Sequence, residues 1–250
     1  MTAAFIAAAT AFGTGFGQSL FHTVSAQTEP SGQPVKIDSV TPNTDQEGID
    51  YAFSRSLVLT GAELKSLNRL SPDDPSYDSW FTSRGGVVPS PFVMKIVVQG
   101  NRLHPVLITD MGVLIDRCTR PLHGALFANS SGGGTVADQA VVFDLDAPHP
   151  LPQNGLLNGN FFSAHSISLK KGELQVLKVV VNSSRYCLYR FRFTVVDGTR
   201  TVPEIVSNDG QPFSITAWLP GSQYRVLYIG GSIGVTGPLV RMNPATSKPY

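Results

Sequence analysis

Charge is scarce in this chain, and in its first stretch it is absent: the earliest formally charged side chain is Glu29. Residues 1–28 are uncharged and rich in Ala, Phe and Gly, a composition unsuited to the surface of a soluble domain. Across the chain 15% of residues are charged, with 19 Lys plus Arg against 18 Asp plus Glu. A net charge of +1 provides no long-range field that would gather nucleic acid or an anionic membrane. The densest basic stretch, 185–192, alternates Arg with Tyr and Phe as the solvated face of one strand would. No nucleic-acid partner is expected.

Catalytic signatures are missing as well. There is no G-x-S-x-G elbow and no P-loop. Ser131-Gly-Gly-Gly134 lacks the Lys that a phosphate cradle needs, and Gly230-Gly231-Ser-Ile-Gly234 has no convincing helix after it, so both read as turns. His22, His104, His123, His149 and His165 show no zinc-ligand spacing. Asn43-Thr-Asp45-Gln-Glu47-Gly48 begins like a calcium loop, but Ser54 stands where the bidentate acid belongs, and a polar linker is the better reading. No metal and no cofactor are expected. Asn129-Ser-Ser131 and Asn182-Ser-Ser184 fit the glycosylation sequon, which has meaning only in a eukaryotic secretory pathway.

What is present is apolar and periodic. With 250 residues, 42% of them hydrophobic, the chain can build one large core or two small ones. Residues 2–21 match the roughly 20 needed to cross a hydrocarbon core as a helix, although Gly13, Gly15 and Gly17 lower helix propensity. No basic residue precedes this run, which disfavours a cleavable signal, while Val24 and Ala26 place small side chains ahead of a cleavage before Gln27. An uncleaved membrane anchor over 1–27 is the first reading, a cleaved signal the second, and a soluble chain with an apolar amino terminus the third. Residues 28–50, with Pro30, Pro34 and Pro42, read as a linker. The folded body is then 51–250, outside the membrane.

Within that body, short apolar runs separated by turn signals predict strands over 53–59, 92–99, 106–115, 124–128, 140–145, 166–169, 174–181, 186–196, 213–218 and 224–229. Phe92, Met94, Ile96 and Val98 share one face, and Tyr189, Phe191, Phe193 and Val195 share another. The fold class is therefore mainly β, an antiparallel sandwich. One short helix is expected from Ala62 to about Leu70, because Thr60-Gly-Ala-Glu63 is a capping box and Leu64 and Leu67 lie on one side. Residues 73–90, rich in Pro, Ser and Gly, predict a long connection, either an ordered surface loop or the mobile part of the structure.

Cys118 and Cys187 are the only cysteines. In an oxidising envelope such a pair forms a disulfide, and Cys187 shares parity with the buried face of its strand. Two unpaired buried thiols are the alternative. Closing a loop of this length would remove about 4 to 5 kcal/mol of denatured-state entropy. Asp144-Leu-Asp146 puts two carboxylates on one side of a strand end, where they could hold a cation or act as an acid pair. With Asp110 and Asp116 they are the acids available to a site assembled from separated residues. Solvated strand-end charges are the simpler reading.

Ser166-Ile-Ser-Leu-Lys-Lys-Gly-Glu173 followed by 174–181, and 92–100 followed by Asn101 and the strand from Val106, resemble bacterial immunoglobulin-like domains. Leu59-Thr-Gly-Ala-Glu-Leu64, Gly100-Asn-Arg-Leu-His-Pro-Val106, Leu122-His-Gly-Ala-Leu-Phe127 and Phe143-Asp-Leu-Asp146 are together similar to uncharacterised membrane-anchored proteins of high-GC Gram-positive bacteria. The resemblance covers most of the body. It implies one amino-terminal membrane segment and an extracytoplasmic β domain, with no catalytic residue to carry over. The expected function is a membrane-tethered, non-catalytic binding or scaffolding domain of the cell envelope, docking a partner on a sheet face or on the loops after Asp73 and Gly132. An envelope hydrolase or sugar-binding enzyme with carboxylates convergent in space is the second expectation.

Overall fold

The computed structural model describes residues 29–42, 49–71, 74–128, 140–156, 159–230 and 237–247. The expected anchor (1–27), the calcium-loop-like run 43–48, and the first sequon with its glycine loop (129–134) lie outside the described residues.

In chain order the elements are β1 (Val35–Pro42), β2 (Tyr51–Phe53), α1 (Gly61–Leu67), α2 (Pro75–Thr82), β3 (Phe92–Gly100), β4 (Val106–Thr119), β5 (Ala125–Ala128), β6 (Val141–Asp144), β7 (Gln153–Asn154), α3 (Phe161–Ala164), β8 (Ile167–Leu169), β9 (Leu174–Asn182), β10 (Tyr186–Asp197), β11 (Arg200–Val206), β12 (Phe213–Ile215), β13 (Val226–Ile229) and β14 (Val240–Met242). They form three sheets: β1-β3-β9-β6-β7, then β11-β10-β4-β8 with β12 also on β10, and β14-β13-β5-β2. The ladders are antiparallel except β6 on β9 and β5 on β13. The mainly β, antiparallel-rich class expected from the sequence is therefore observed.

The alternation that predicted β3 and β10 builds the main core. Met94, Ile96 and Val98 of the first sheet and Tyr189, Phe191, Phe193 and Val195 of the second are all fully buried in one cluster. The two sheets thus bury their facing sides against each other, joined there by Val179, Val181 and Phe143. A second core lies under the third sheet. Phe81 stacks on Tyr51 with ring centroids 4.5 Å apart and meets Phe127 edge-on at 5.3 Å, so that α2 covers one face of that sheet. The sheet's opposite face is closed by Ala52, Leu126, Tyr224 and Leu227. Gly124 is required where the chain enters β5, since a Cβ there would lie 2.3 Å from the backbone of Arg55.

Helix α1 starts as predicted. Thr60 accepts from the Glu63 amide while the Glu63 carboxylate accepts from the Thr60 amide, and Leu67 is buried. Two further helices, α2 and the single turn α3, were not expected. In place of the predicted long connection, Asp74 caps α2 through the Ser76 amide, Pro75 occupies its first turn, and Tyr77 and Phe81 are buried four residues apart. The density of Ser, Pro and Gly in 73–90 hid this i, i+4 pair.

The stretch expected to lead into the domain supplies its first strand. β1 pairs with β3 from Val35 opposite Gly100 to Pro42 opposite Met94, with a bulge between Ile37 and Ser39. That extra residue breaks the period-two pattern, and an edge position tolerates Pro42. The predicted strand 53–59 is not observed as such: it shares only Phe53 with β2, and residues 54–59 form no strand. Leu57 and Leu59 still pack on the second core, without a strand ladder. β4 runs to Thr119 rather than 115, because a second bulge near Leu188 and Tyr189 exposes Leu114 and Ile115 together and destroys the apolar alternation there.

Candidate functional site

Cys118 and Cys187 are bonded to each other, as expected, and neither is a free thiol. They face each other directly in the β4–β10 ladder with Cα atoms 4.1 Å apart, so the bridge lies within one sheet rather than between two. Cys187 is fully buried at the start of β10, and its sulfur lies 3.5 Å from the Ser183 hydroxyl.

Ser183 belongs to the turn 183–185 between β9 and β10, and this turn organises a cleft. The Ser183 amide donates to the Ser90 hydroxyl at 3.0 Å, while the Ser90 amide donates to the Thr216 carbonyl at 2.7 Å. Three chain segments distant in sequence are thereby fastened together: the approach to β3, the β9–β10 turn and the segment after β12. The Leu145 amide adds β6 to the group by donating to Asn182 at 2.9 Å.

The resulting cavity is about 530 Å³, within the range of small-molecule sites. Its polar lining includes Asp144 from the end of β6 and Asp146 just after it, Gln153 from β7, and Asn182 from the end of β9. Its apolar lining is Val142, Ala217, Trp218 and Leu219. Trp218 is 36% exposed, an unusual state for an indole, which normally gains by burial. No hydrogen bond within the described residues engages the side-chain amides of Gln153 and Asn182.

The two aspartates of the cleft differ in what they have left to offer. Asp146 is committed: its carboxylate accepts from the Ser184 amide, from Ser183 Oγ at 3.4 Å and from Arg185 Nε at 3.0 Å. Partial burial pushes its pKa up, but the Ser184 and Arg185 contacts outweigh that and hold it below the usual carboxylate value. Arg185 is spent in turn, with Nη2 donating to the Leu145 carbonyl at 3.1 Å. Asp144 is exposed and uses one oxygen to accept from the Asp146 amide at 2.9 Å. A general acid needs a raised pKa, and Asp146 is shifted the opposite way.

Asp110 and Asp116, the other acids weighed from the sequence, do not line the cleft. Both lie on β4, where Asp116 is ion-paired with Arg190 on the neighbouring strand. The structure thus brings together Asp144 and Asp146 and leaves Asp110 and Asp116 elsewhere on the chain. Sequence reasoning does not reach Trp218, Gln153 or Ser90, and reaches Asn182 only as the first residue of a sequon. Trp218 falls at the end of the predicted strand 213–218 and gives no sign there of a site.

Among the described residues no cluster of three or more His, Cys, Asp or Glu could hold a metal ion. His104 instead belongs to a polar corner that ties down the incoming chain. Arg102 donates to Asp197 at 2.9 Å and to the carbonyl of Gly32 at 2.7 Å, His104 meets Asp197 at 2.7 Å, and Glu29 accepts from the Leu103 amide at 3.1 Å. Burial raises the Asp197 pKa, and the Arg102 and His104 contacts more than offset it, leaving the carboxyl below its ordinary value. Glu29, the first described residue, is therefore held at this corner. Among the described residues no helix is long and apolar enough to cross a membrane.

Comparison with protein-family models, curated proteins and solved structures finds no match for this chain.

Proposed function

We propose that this chain is a membrane-tethered, extracytoplasmic binding or scaffolding domain of the cell envelope, without catalytic activity. Residues 1–27 hold it to the membrane, or release it as a secreted protein if it is cleaved before Gln27. The observation that carries the reading is the Cys118–Cys187 disulfide, whose Cys187 sulfur lies 3.5 Å from the hydroxyl of Ser183 in the lining of a formed cleft. A disulfide that closes a long loop belongs to an oxidising compartment. A concave wall with a half-open indole and unengaged amides is the general form of a binding site.

The resemblance to membrane-anchored proteins of high-GC Gram-positive bacteria supports the same topology. An immunoglobulin-like relation for the two facing sheets belongs to this reading. The parallel β6–β9 ladder and the helix-covered third sheet would then be elaborations of it. The hydrolase reading is not favoured, because Asp146 is engaged by Ser184 and Arg185 and its pKa is lowered, the wrong direction for a general acid.

The test is protease added to intact cells that express the full chain. The body is expected to be degraded while a cytosolic control survives, with a membrane-protected fragment remaining if the anchor is uncleaved. A chain untouched in intact cells and degraded only after lysis would overturn the proposal.

A further inference from the structure

The geometry points to a neutral saccharide as the ligand of the cleft beside Trp218, an inference that rests on the binding-domain reading above. A pyranose has two chemical sides. Its axial C–H bonds form an apolar face that packs on an aromatic ring, and its equatorial hydroxyls donate and accept within one plane. Recognition therefore calls for an accessible indole next to planar carboxylate and amide groups that can bind neighbouring hydroxyls in pairs.

The cleft has both kinds of group. Trp218, 36% exposed, lines it together with Asp144, Gln153 and Asn182. Asp144 and Asn182 are register partners at the ends of the parallel β6–β9 ladder, so an acceptor and an amide lie side by side on adjacent strands. Neither amide is used within the described residues.

Other ligand chemistries fit less well. No Lys or Arg lines the cavity, and two carboxylates do, so phosphate or uronate groups would meet repulsion. Arg185, the nearest cation to Asp146, is consumed by that carboxylate and by the Leu145 carbonyl. A wholly apolar ligand would leave the amides and Asp144 unpaired. A volume of about 530 Å³ admits a mono- or disaccharide unit rather than a bare ion.

Because the chain has two tryptophans, Trp80→Phe leaves Trp218 as the sole source of indole emission. The purified full chain carrying that substitution is titrated with a neutral glucose disaccharide, the disaccharide of N-acetylglucosamine, galacturonate, and choline. At least one neutral saccharide should change the emission saturably. Calorimetry on the otherwise native chain should show the same binding weakened about tenfold or more by Trp218→Ala and by Gln153→Ala. Binding unaffected by both substitutions, or no response to either neutral saccharide, overturns the saccharide inference. A response to choline or galacturonate alone overturns it too, yet leaves the binding-domain reading standing. A domain found in the cytosol by the protease assay removes that reading independently.

Discussion

Glu204 connects the two sheets of the main core and makes stability depend on pH in a sense opposite to most carboxylates. It points inward from β11, is 3% exposed, and accepts from the Val35 amide at the start of β1 at 3.0 Å. Burial raises its pKa from 4.5 to about 6, against the Val35 hydrogen bond and the nearby Arg102, which both favour the charged form. Between pH 4.5 and 6 the folded protein therefore holds more protons at this site than the unfolded chain does. Stability from this group is fully present below the unfolded value and is lost as pH rises through about 6.

A shift of that size corresponds to about 2 kcal/mol if fully expressed. Arg102 and Asp197 beside it are partly open to water, so screening reduces the expectation to about 1 kcal/mol. Glu204→Gln keeps an acceptor for Val35 and removes the titration. Urea unfolding of both proteins at pH 4.5, 5.5 and 6.5 is the assay. The native chain should lose about 1 kcal/mol relative to the variant across that range, or roughly 0.3 to 0.5 M in midpoint. Asp146 and Asp197 have lowered pKa values, so their contributions are lost only as pH falls below the ordinary aspartate range, outside this window. Parallel pH profiles for the native chain and the Gln variant would refute the reasoning.

Two further predictions concern the cores. Replacing Cys118 and Cys187 together by Ala releases a loop with a sequence separation of 69, which should lower stability by about 4 kcal/mol with the urea m-value little changed or raised. A midpoint within error of the native chain would show that the bridge constrains nothing. Phe81→Ala removes a fully buried ring that contacts Tyr51, Tyr77, Trp80 and Phe127, and should cost about 3 to 5 kcal/mol by calorimetric melting. A loss under about 1 kcal/mol would mean that α2 does not close the second core.

The legible part of the fold was the part governed by local rules. Period-two alternation identified β3 and β10, and the Thr60–Glu63 capping box located α1. Parity placed Cys187 inward, and the register puts it opposite Cys118. Two edge strands, β1 and β11, were illegible for a physical reason. β1 and β11 contain Pro42 and Pro203, which only an edge tolerates, and the bulge in β1 breaks its alternation. The cleft was harder still. Asp144 and Asp146 were visible as a pair, but Ser90, Gln153, Asn182 and Trp218 come from four separate segments that hydrogen bonds between distant turns bring together. Nothing in the spacing of those residues announces their convergence. The charge state of Asp146 depends likewise on Arg185, which the sequence presented as one of several strand arginines.

The central claim, that the cleft faces the cell exterior and holds a ligand, is tested most directly by light-induced cross-linking on intact cells. A photoreactive residue is placed at Leu219 in the cleft wall or, as a control, at exposed Val240 on β14. The account predicts a discrete adduct with an envelope component from position 219, lost when Trp218→Ala is added and absent from position 240. The same adducts from both positions, or none from 219, would contradict it.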